Sequence, residues 1–348
     1  MNQIKIFLIL TIFIANGCEK IILGPKPENT PIENFKVLWT ILDEKYALFP
    51  IKNVDWDTLY TFYSNQITNS TTENELWAIC GNLISNLNDG HTILVNSDRT
   101  NSLSSSNLDP SKAAGFSREL VKSKYLQNTS VSGEGYITTG TLINSNIAYI
   151  HISSFRSATN GRDWIKDIDP IIRNLAQYDA AIIDIRNNGG GLTKNVEYFS
   201  SSIIDRAFTY YYKQVKTGTG HNDFGPRTAK IISPRKDNVG YNGKIVLLTN
   251  RFTASGGDCV ALISKNLEYS TQIGDTTNGS FAEVTQTGLL PNGWTIQFSC
   301  SLMTYDDGTS PEGIGIIPDI VIDNTKQDIL AGQDKVLERA VKYLADGE

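Results

Sequence analysis

Ser255 is the residue with the clearest chemical potential in this sequence. It stands in Thr253-Ala254-Ser255-Gly256-Gly257-Asp258, between an apolar run at 244–249 that reads as a buried strand and helical spacing over 255–264. A serine at such a strand-to-helix turn is exposed and sits at the positive end of a helix, which suits a nucleophile. Capping the helix is the commoner use of a serine there. A nucleophilic serine needs a base, and the sequence has few to offer. No Lys occurs between residues 266 and 325, and no His follows Ser255. The second fact excludes the Ser, acid, His order of α/β-hydrolases, and Thr253 breaks their G-x-S-x-G motif. A histidine base must therefore come from upstream.

There are three histidines. His91, in Asp89-Gly90-His91-Thr92, occupies a tight turn between a helical region and a strand, and such junctions are where clefts form. His151 falls inside an apolar strand and reads as a core residue. His221 lies in a Gly/Thr/Asn-rich loop and reads as solvated. Neither H-E-x-x-H nor paired-cysteine spacing occurs, so no metal and no other cofactor is expected. A further element is Asn187-Asn188-Gly189-Gly190-Gly191, which follows the strand ending Asp184-Ile185-Arg186 and precedes a helix. Its unobstructed N–H groups could hold an anion or a developing oxyanion, or the segment could be a plain turn. The contiguous glycines do not fit the G-x-G-x-x-G spacing of dinucleotide sites.

These residues need a scaffold, and the chain is long enough to build one. Hydrophobic residues make up 40% of its 348 residues, the range of an ordinary globular protein. Its net charge of −6 has the wrong sign for phosphate backbones, so nucleic acid is not an expected partner. Thr30, Pro31 and Glu33 start a helix that continues through Phe35, Leu38, Leu42 and Tyr46. A second helix is expected near 56–67, and a third begins at Thr72 with Glu75 as its capping partner. Residues 30–88 therefore read as a small helical domain. Residues 89–145 read as a connecting β/loop segment, with a loop in the Ser/Asn-rich stretch 100–107. Strands at 147–152, 180–185 and 244–249 alternate with helices at 164–175, 192–204 and 255–264, so 146–348 reads as an α/β domain around a parallel or mixed sheet. The aromatic run 208–212 and the alternation over 294–302 add strands, and 327–344 reads as one closing helix.

At the amino terminus, residues 6–14 form an apolar run interrupted only by Thr11, preceded by Lys5 and followed by Ala15-Asn16-Gly17-Cys18. It is too short to span a bilayer and reads as an export signal. Small residues at 15 and 17 suit ordinary signal cleavage, whereas Gly17-Cys18 resembles a lipoprotein box, with Ala15 and Asn16 departing from its usual pattern. The lipoprotein reading is the expectation adopted. Residues 1–18 are then the signal with a lipobox-like end, Cys18 the lipidation site, 19–29 a tether, and the product an exported periplasmic or cell-envelope protein attached to the membrane. The other three cysteines, Cys80, Cys259 and Cys300, read as core filling, and their odd number leaves at least one thiol unpaired.

Taken in order, Leu87-Asn88-Asp89-Gly90-His91-Thr92, Ile183-Asp184-Ile185-Arg186-Asn187-Asn188-Gly189-Gly190-Gly191, Thr253-Ala254-Ser255 and the segment 312–319 resemble the carboxy-terminal processing peptidase superfamily. The resemblance is to its branch containing the tricorn protease core and the interphotoreceptor retinoid-binding protein repeats. It implies a ClpP/crotonase-like core with a helical amino-terminal domain. It also implies a serine endopeptidase hydrolysing peptides or unfolded proteins through an acyl-enzyme. In the Ser/Lys branch a Lys follows the last Gly of G-x-x-T-x-G. Here Gly279 is followed by Ser280, so the chain resembles the Ser/His/Glu branch. By motif, Ser255 is then the nucleophile, His91 the base, and Glu312 the acid that orients it directly or through another group. Gly189 or Gly190, with the N–H of Gly256, forms the oxyanion hole. In two respects the sequence departs from the family. Gly256-Gly257-Asp258 replaces the usual Ala, variable residue and Glu, and is expected to loosen the helix start. The span from 92 to 146 is too short for a PDZ insert. Two alternatives remain: a non-catalytic ligand- or peptide-binding protein on the same fold, and acyl-thioester chemistry, which an export signal disfavours.

Overall fold

In the computed structural model the described residues are 27–157, 159, 161, 163–237, 241, 243–281 and 285–346. The stretch expected to be an export signal, with Cys18, lies outside the described residues. Thr30 accepts the Glu33 N–H and Pro31 occupies the first position of α1 (Pro31–Lys45). Asp55 caps α2 (Trp56–Ser64), and Thr72 and Glu75 cap α3 (Glu73–Ser85) reciprocally. Phe35, Leu38, Leu42, Leu76 and Leu83 are withdrawn from water into one core. The helices do not close that core by themselves. Leu290, Trp294, Ile296 and Phe298, about 200 residues downstream, complete it. They are carried by β11 (Thr285–Leu289), β12 (Thr295–Ser299) and the turn between them, in a four-stranded sheet ordered β11, β12, β1 (Ile93–Val95), β2 (Ser102–Ser104). The Ser/Asn-rich stretch expected to be a loop thus contributes an edge strand. Leu103 on β2 packs against the helical core, a contact with no local sequence signature.

The second core surrounds a seven-stranded sheet. Its order is β14 (Ile320–Val321), β10 (Ser270–Gly274), β9 (Lys244–Thr249), β6 (Ala180–Asp184), β5 (Ile147–Ile152), β4 (Ile137–Leu142) and β3 (Leu126–Ser132). Strands β5, β6, β9, β10 and β14 run parallel, whereas β3 and β4 are antiparallel additions at one edge. The sheet therefore reaches back to Leu126, and the segment expected to be connecting β/loop structure supplies two of its strands. Helices α4 (Trp164–Asn174), α5 (Thr193–Ser201) and α6 (Gly256–Ser264) follow β5, β6 and β9. Burial of strand residues such as Ile182, Ile183, Val246 and Leu247 explains why these strands read as continuous apolar runs. This is the α/β core with a helical amino-terminal unit that the sequence led us to expect.

Two details differ from expectation. The alternating run 294–302 supplies strands, but to the two smaller sheets: Cys300 separates β12 from β13 (Ser301–Thr304), which joins β7 (Phe208–Val215) and β8 (Thr228–Ile232) in a three-stranded sheet. The closing helix is also two helices, α7 (Lys326–Leu330) and α8 (Lys335–Asp346), parted where Gly332 adopts φ 73°. The break frees Asp334 to turn inward and meet Arg186. No helix among the described residues is long and apolar enough to cross a membrane.

Arg186, buried beside the glycine-rich loop, holds the Asp184 and Asp334 carboxylates at 2.6 and 2.8 Å and stacks on Phe116. All three charged side chains are at most 1% exposed. Removing the cation would strand two buried anions. Arg186→Met is therefore expected to cost about 3–5 kcal/mol in urea unfolding, and a loss below about 1 kcal/mol would contradict this account.

Candidate active site

The carboxyl ends of β6 and β9 point into the region where ligands gather in open parallel sheets. From β9 the chain turns through Asn250 and Thr253 into Ser255, the residue preceding α6. Thr253 anchors this turn, its hydroxyl donating to the Ile185 carbonyl at 2.8 Å and accepting the Asn250 N–H at 3.1 Å. Ser255 itself has φ 54° and ψ −114°, a conformation that a residue bearing a Cβ adopts at a cost of about 1–3 kcal/mol. Surrounding bonds hold it there: the Ala254 N–H donates to Asn188 O at 2.8 Å, and the Ser255 N–H to Asp258 Oδ2 at 2.8 Å.

The helix start is tightly packed, contrary to the looseness expected of Gly256-Gly257. The glycine-rich loop lies directly on it. A Cβ on Gly190, whose φ is 87°, would come within 2.7 Å of both Gly256 N and Ser255 Cβ, and one on Gly257 within 3.0 Å of Asn188 O. Glycine is required at these positions because two backbones approach without room for side chains.

His91 reaches the same point from the other core. Its Nε2 lies 3.3 Å from Ser255 Oγ, across 164 residues of sequence. Its backbone is held by Gln297, whose side-chain amide donates to His91 O at 3.3 Å, and by Asp89, whose Oδ1 accepts the His91 N–H at 2.9 Å. Asp89 is itself fixed by the hydroxyls of Thr92 and Ser299, at 2.8 and 2.9 Å. The buried His91 Nδ1 makes no hydrogen bond, and Asp89 Oδ1 lies 4.0 Å from it. Sequence reasoning missed Asp89 as the carboxylate beside the His91 ring. Its position two residues before His91 in a tight turn was the available signal.

Glu312 is placed differently from the direct orienting role. It is buried, accepts the Phe281 N–H at 2.6 Å, and forms no hydrogen bond to His91. Burial, reinforced by the charge of Asp89, pushes its carboxyl up to about 8, with Lys52 pulling in the opposite direction. Tyr46 shares this pocket, and burial together with Asp89 and Glu312 holds its phenol well above the usual range.

Of the expected oxyanion donors, Gly190 is engaged elsewhere, because its N–H donates to Asn188 Oδ1 at 2.7 Å. Gly189 and Gly191 are exposed beside Ser255, and Gly256 occupies the first turn of α6. The other histidines are committed. His151 is buried against Phe116 with Nε2 3.4 Å from Arg186 O. His221 is less solvated than its loop composition suggested: Nε2 lies 2.8 Å from Asp43 Oδ1 and the ring stacks on Phe49. Cys80 and Cys300 are buried, whereas Cys259 faces the cleft one turn after Ser255, and none of the three is in a disulfide. Among the described residues no group of three or more His, Cys, Asp or Glu side chains could hold a metal.

A cleft of about 640 Å³ opens over Ser255 and His91. Leu192, Val196, Tyr210, Tyr211, Cys259 and Phe281 give it an apolar wall, with Arg156 and Glu197 also lining it. Such a constellation can activate a hydroxyl beside an apolar side-chain site and unobstructed N–H groups.

Comparison with known proteins agrees with this chemistry. The model of a family described as peptidase family S41 matches residues 146–322, and that of the tricorn protease C1 domain matches 27–85. The tricorn protease of Thermoplasma acidophilum is 28% identical over 201 residues, covering 58% of this chain and 17% of the relative. That of Thermoplasma volcanium is 25% identical over 242 residues, covering 69% and 21%. The chain thus spans no more than 21% of the length of these curated relatives. A Parabacteroides merdae protein assigned as a peptidase superposes with a TM-score of 0.81 at 28% identity, over 91% of this chain and 97% of that one. Mature CPAF bound to lactacystin superposes at 0.69 and 14% identity, over 91% and 98%, a likeness of fold. With the S41 match covering just over half of its residues, the chain belongs to peptidase family S41.

Proposed function

We propose that this chain is an exported endopeptidase that cleaves peptides or unfolded proteins through an acyl-enzyme on Ser255. The 3.3 Å approach of His91 Nε2 to Ser255 Oγ carries the reading. His91 Nε2 takes the hydroxyl proton as Oγ bonds to the scissile carbonyl carbon, and returns it to the leaving amine as the C–N bond breaks. Water then attacks the ester by the same route, releasing the acid and restoring Ser255. In the active tautomer Nδ1 carries its proton toward Asp89, whose negative charge stabilises the imidazolium formed in each half-reaction. Glu312 acts behind Asp89 and not on His91 directly. The N–H of Gly256, with that of Gly189 or Gly191, receives the oxyanion, a contribution of about 10²–10³ in rate per donor. Export and attachment follow from the apolar run 6–14 and from lipidation of Cys18.

One fractionation experiment addresses chemistry and location. In cells treated with a fluorophosphonate, the wild type is expected to be labelled in the membrane fraction, Ser255→Ala unlabelled, and Cys18→Ala labelled but released from membranes. Equal peptide hydrolysis by wild type and Ser255→Ala would refute the nucleophile. A wild type that stays unlabelled but retains an apolar ligand would favour a binding protein.

The apolar wall leads to a preference for substrates. Peptides with Leu or Phe before the scissile bond should exceed otherwise identical peptides with Ala there by about tenfold or more in kcat/KM. Charged residues at that position should be poorer still. A profile of cleaved peptides that is flat, or dominated by Asp or Lys at that position, would sink this assignment.

Glu312 also makes stability depend on pH. Its proton is bound in the fold up to about 8 but in the unfolded chain only to about 4.5, so its contribution is full below 4.5 and is lost as pH rises through 8. Relative to wild type, Glu312→Gln should gain stability between pH 5 and 9. Urea midpoints that shift in parallel for both proteins would show that Glu312 is ionised in the fold.

A further inference from the structure

Asp258 is fully buried at the start of α6, and its carboxylate gathers three backbone donors from two segments. Oδ2 accepts the N–H of Ser255 at 2.8 Å and of Ser280 at 3.0 Å, and Oδ1 accepts that of Gly279 at 2.9 Å. The next N–H in this loop, from Phe281, goes to Glu312. Ser280 and Phe281 line the cleft beside His91 and Ser255. One carboxylate therefore connects the backbone of the serine to the wall against which a substrate would lie.

We infer that Asp258 is a positioning residue: by tying the Ser255 backbone to the 279–280 loop it presents the serine hydroxyl to His91. This rests on Ser255 acting as the nucleophile, as proposed above. The backbone of Ser255 sets it apart from other helix caps in the chain. Thr30, Thr72 and Thr325 have φ of −119°, −71° and −87°, the extended values usual for that position, whereas Ser255 has 54°. The Asp258 bond to the Ser255 N–H fixes this unusual torsion, and with it the direction of the side chain. The other anchor cannot drift, because Gly279, at φ 84°, accepts the Gly313 N–H at 2.7 Å and a Cβ there would lie 2.5 Å from Gly315 N. An amide in place of the carboxylate would turn its own N–H groups toward one of these donors. The carboxylate is thus specifically suited to the place, and a Glu would keep its charge and acceptors.

Burial pushes the Asp258 carboxyl up to about 6, opposed by bonds from the Thr277 hydroxyl and the three N–H groups. Glu312 and Tyr305 are the titratable groups that interact with it from neighbouring segments. Acid should therefore loosen all three amides together.

The test compares full-length wild type, Asp258→Asn and Asp258→Glu in thermal melts, fluorophosphonate acylation rates, and kcat and KM against pH. Folded Asp258→Asn is expected to lose about 10²-fold in acylation rate and kcat, with KM within about threefold, and Asp258→Glu to recover at least tenfold. The acid limb of the acylation profile should also change shape in Asp258→Asn. A folded Asp258→Asn that acylates at the wild-type rate, or that loses only KM, overturns the inference. Should that variant fail to fold, amide exchange in the wild type decides: joint loss of protection at Ser255, Gly279 and Ser280 between pH 7.5 and 5 supports it, and unchanged protection overturns it. A wild type that takes no label removes the nucleophile and this inference together. A labelled wild type with an indifferent Asp258→Asn removes this inference alone.

Discussion

The approach of His91 to Ser255 joins two separately packed cores, and most of the chain's path serves that meeting. The base belongs to the helical core, where β12 holds its backbone through Gln297 and its neighbour Asp89 through Ser299. The serine belongs to the large sheet, at the end of β9. To build both, the chain leaves the first core after β2, winds the sheet, and returns with β11 and β12 to complete the core it left. Residues 285–302 are therefore as much a part of the amino-terminal unit as the helices are. A displacement of one core against the other would lengthen the contact from its 3.3 Å and remove the base from the hydroxyl.

Buried acids surround this junction, and the fold accommodates each by a different physical route. Asp184 and Asp334 share the Arg186 guanidinium, whose favourable charge offsets their desolvation. Asp258 has no cation and relies on N–H donors, which leaves its carboxyl raised to about 6. Glu312 has one N–H bond and a negative neighbour in Asp89, and it keeps its proton to about 8. The Asp89 carboxylate that raises Glu312 also lies on the Nδ1 side of His91, with Oδ1 at 4.0 Å.

Local signals explain which parts were legible in the sequence. Caps at Thr30 and Thr72, and continuous apolar strands at β5, β6 and β9, arise from neighbours in the chain and could be read directly. Ser255, His91 and the glycine-rich loop were legible because each sits at a junction between elements. Pairings between distant segments left no such trace. Nothing near Ile93 announces Gln297 as its partner, and the alternation through 294–302 conceals that Cys300 hands the strand from one sheet to another. The Asp89 carboxylate beside His91 and the engagement of Gly190 by Asn188 are likewise tertiary facts. Gly256-Gly257 was misread as slack because sequence shows the missing side chains but not the backbone that fills their place.

The segment between His91 and β5 bears on how substrates are selected. It was too short for an inserted peptide-binding module, and its residues are consumed in other work: β1 and β2 close the helical core, and β3 and β4 extend the large sheet. No separate domain stands there to capture a substrate tail. Under the proposed function, the cleft itself discriminates among substrates, where the apolar wall from Leu192 to Phe281 meets the reactive serine. A peptide bond enters such a cleft only if its flanking side chains are free to leave their own core. The requirement favours unfolded or extended substrates, because a folded protein would have to expose and extend that segment first.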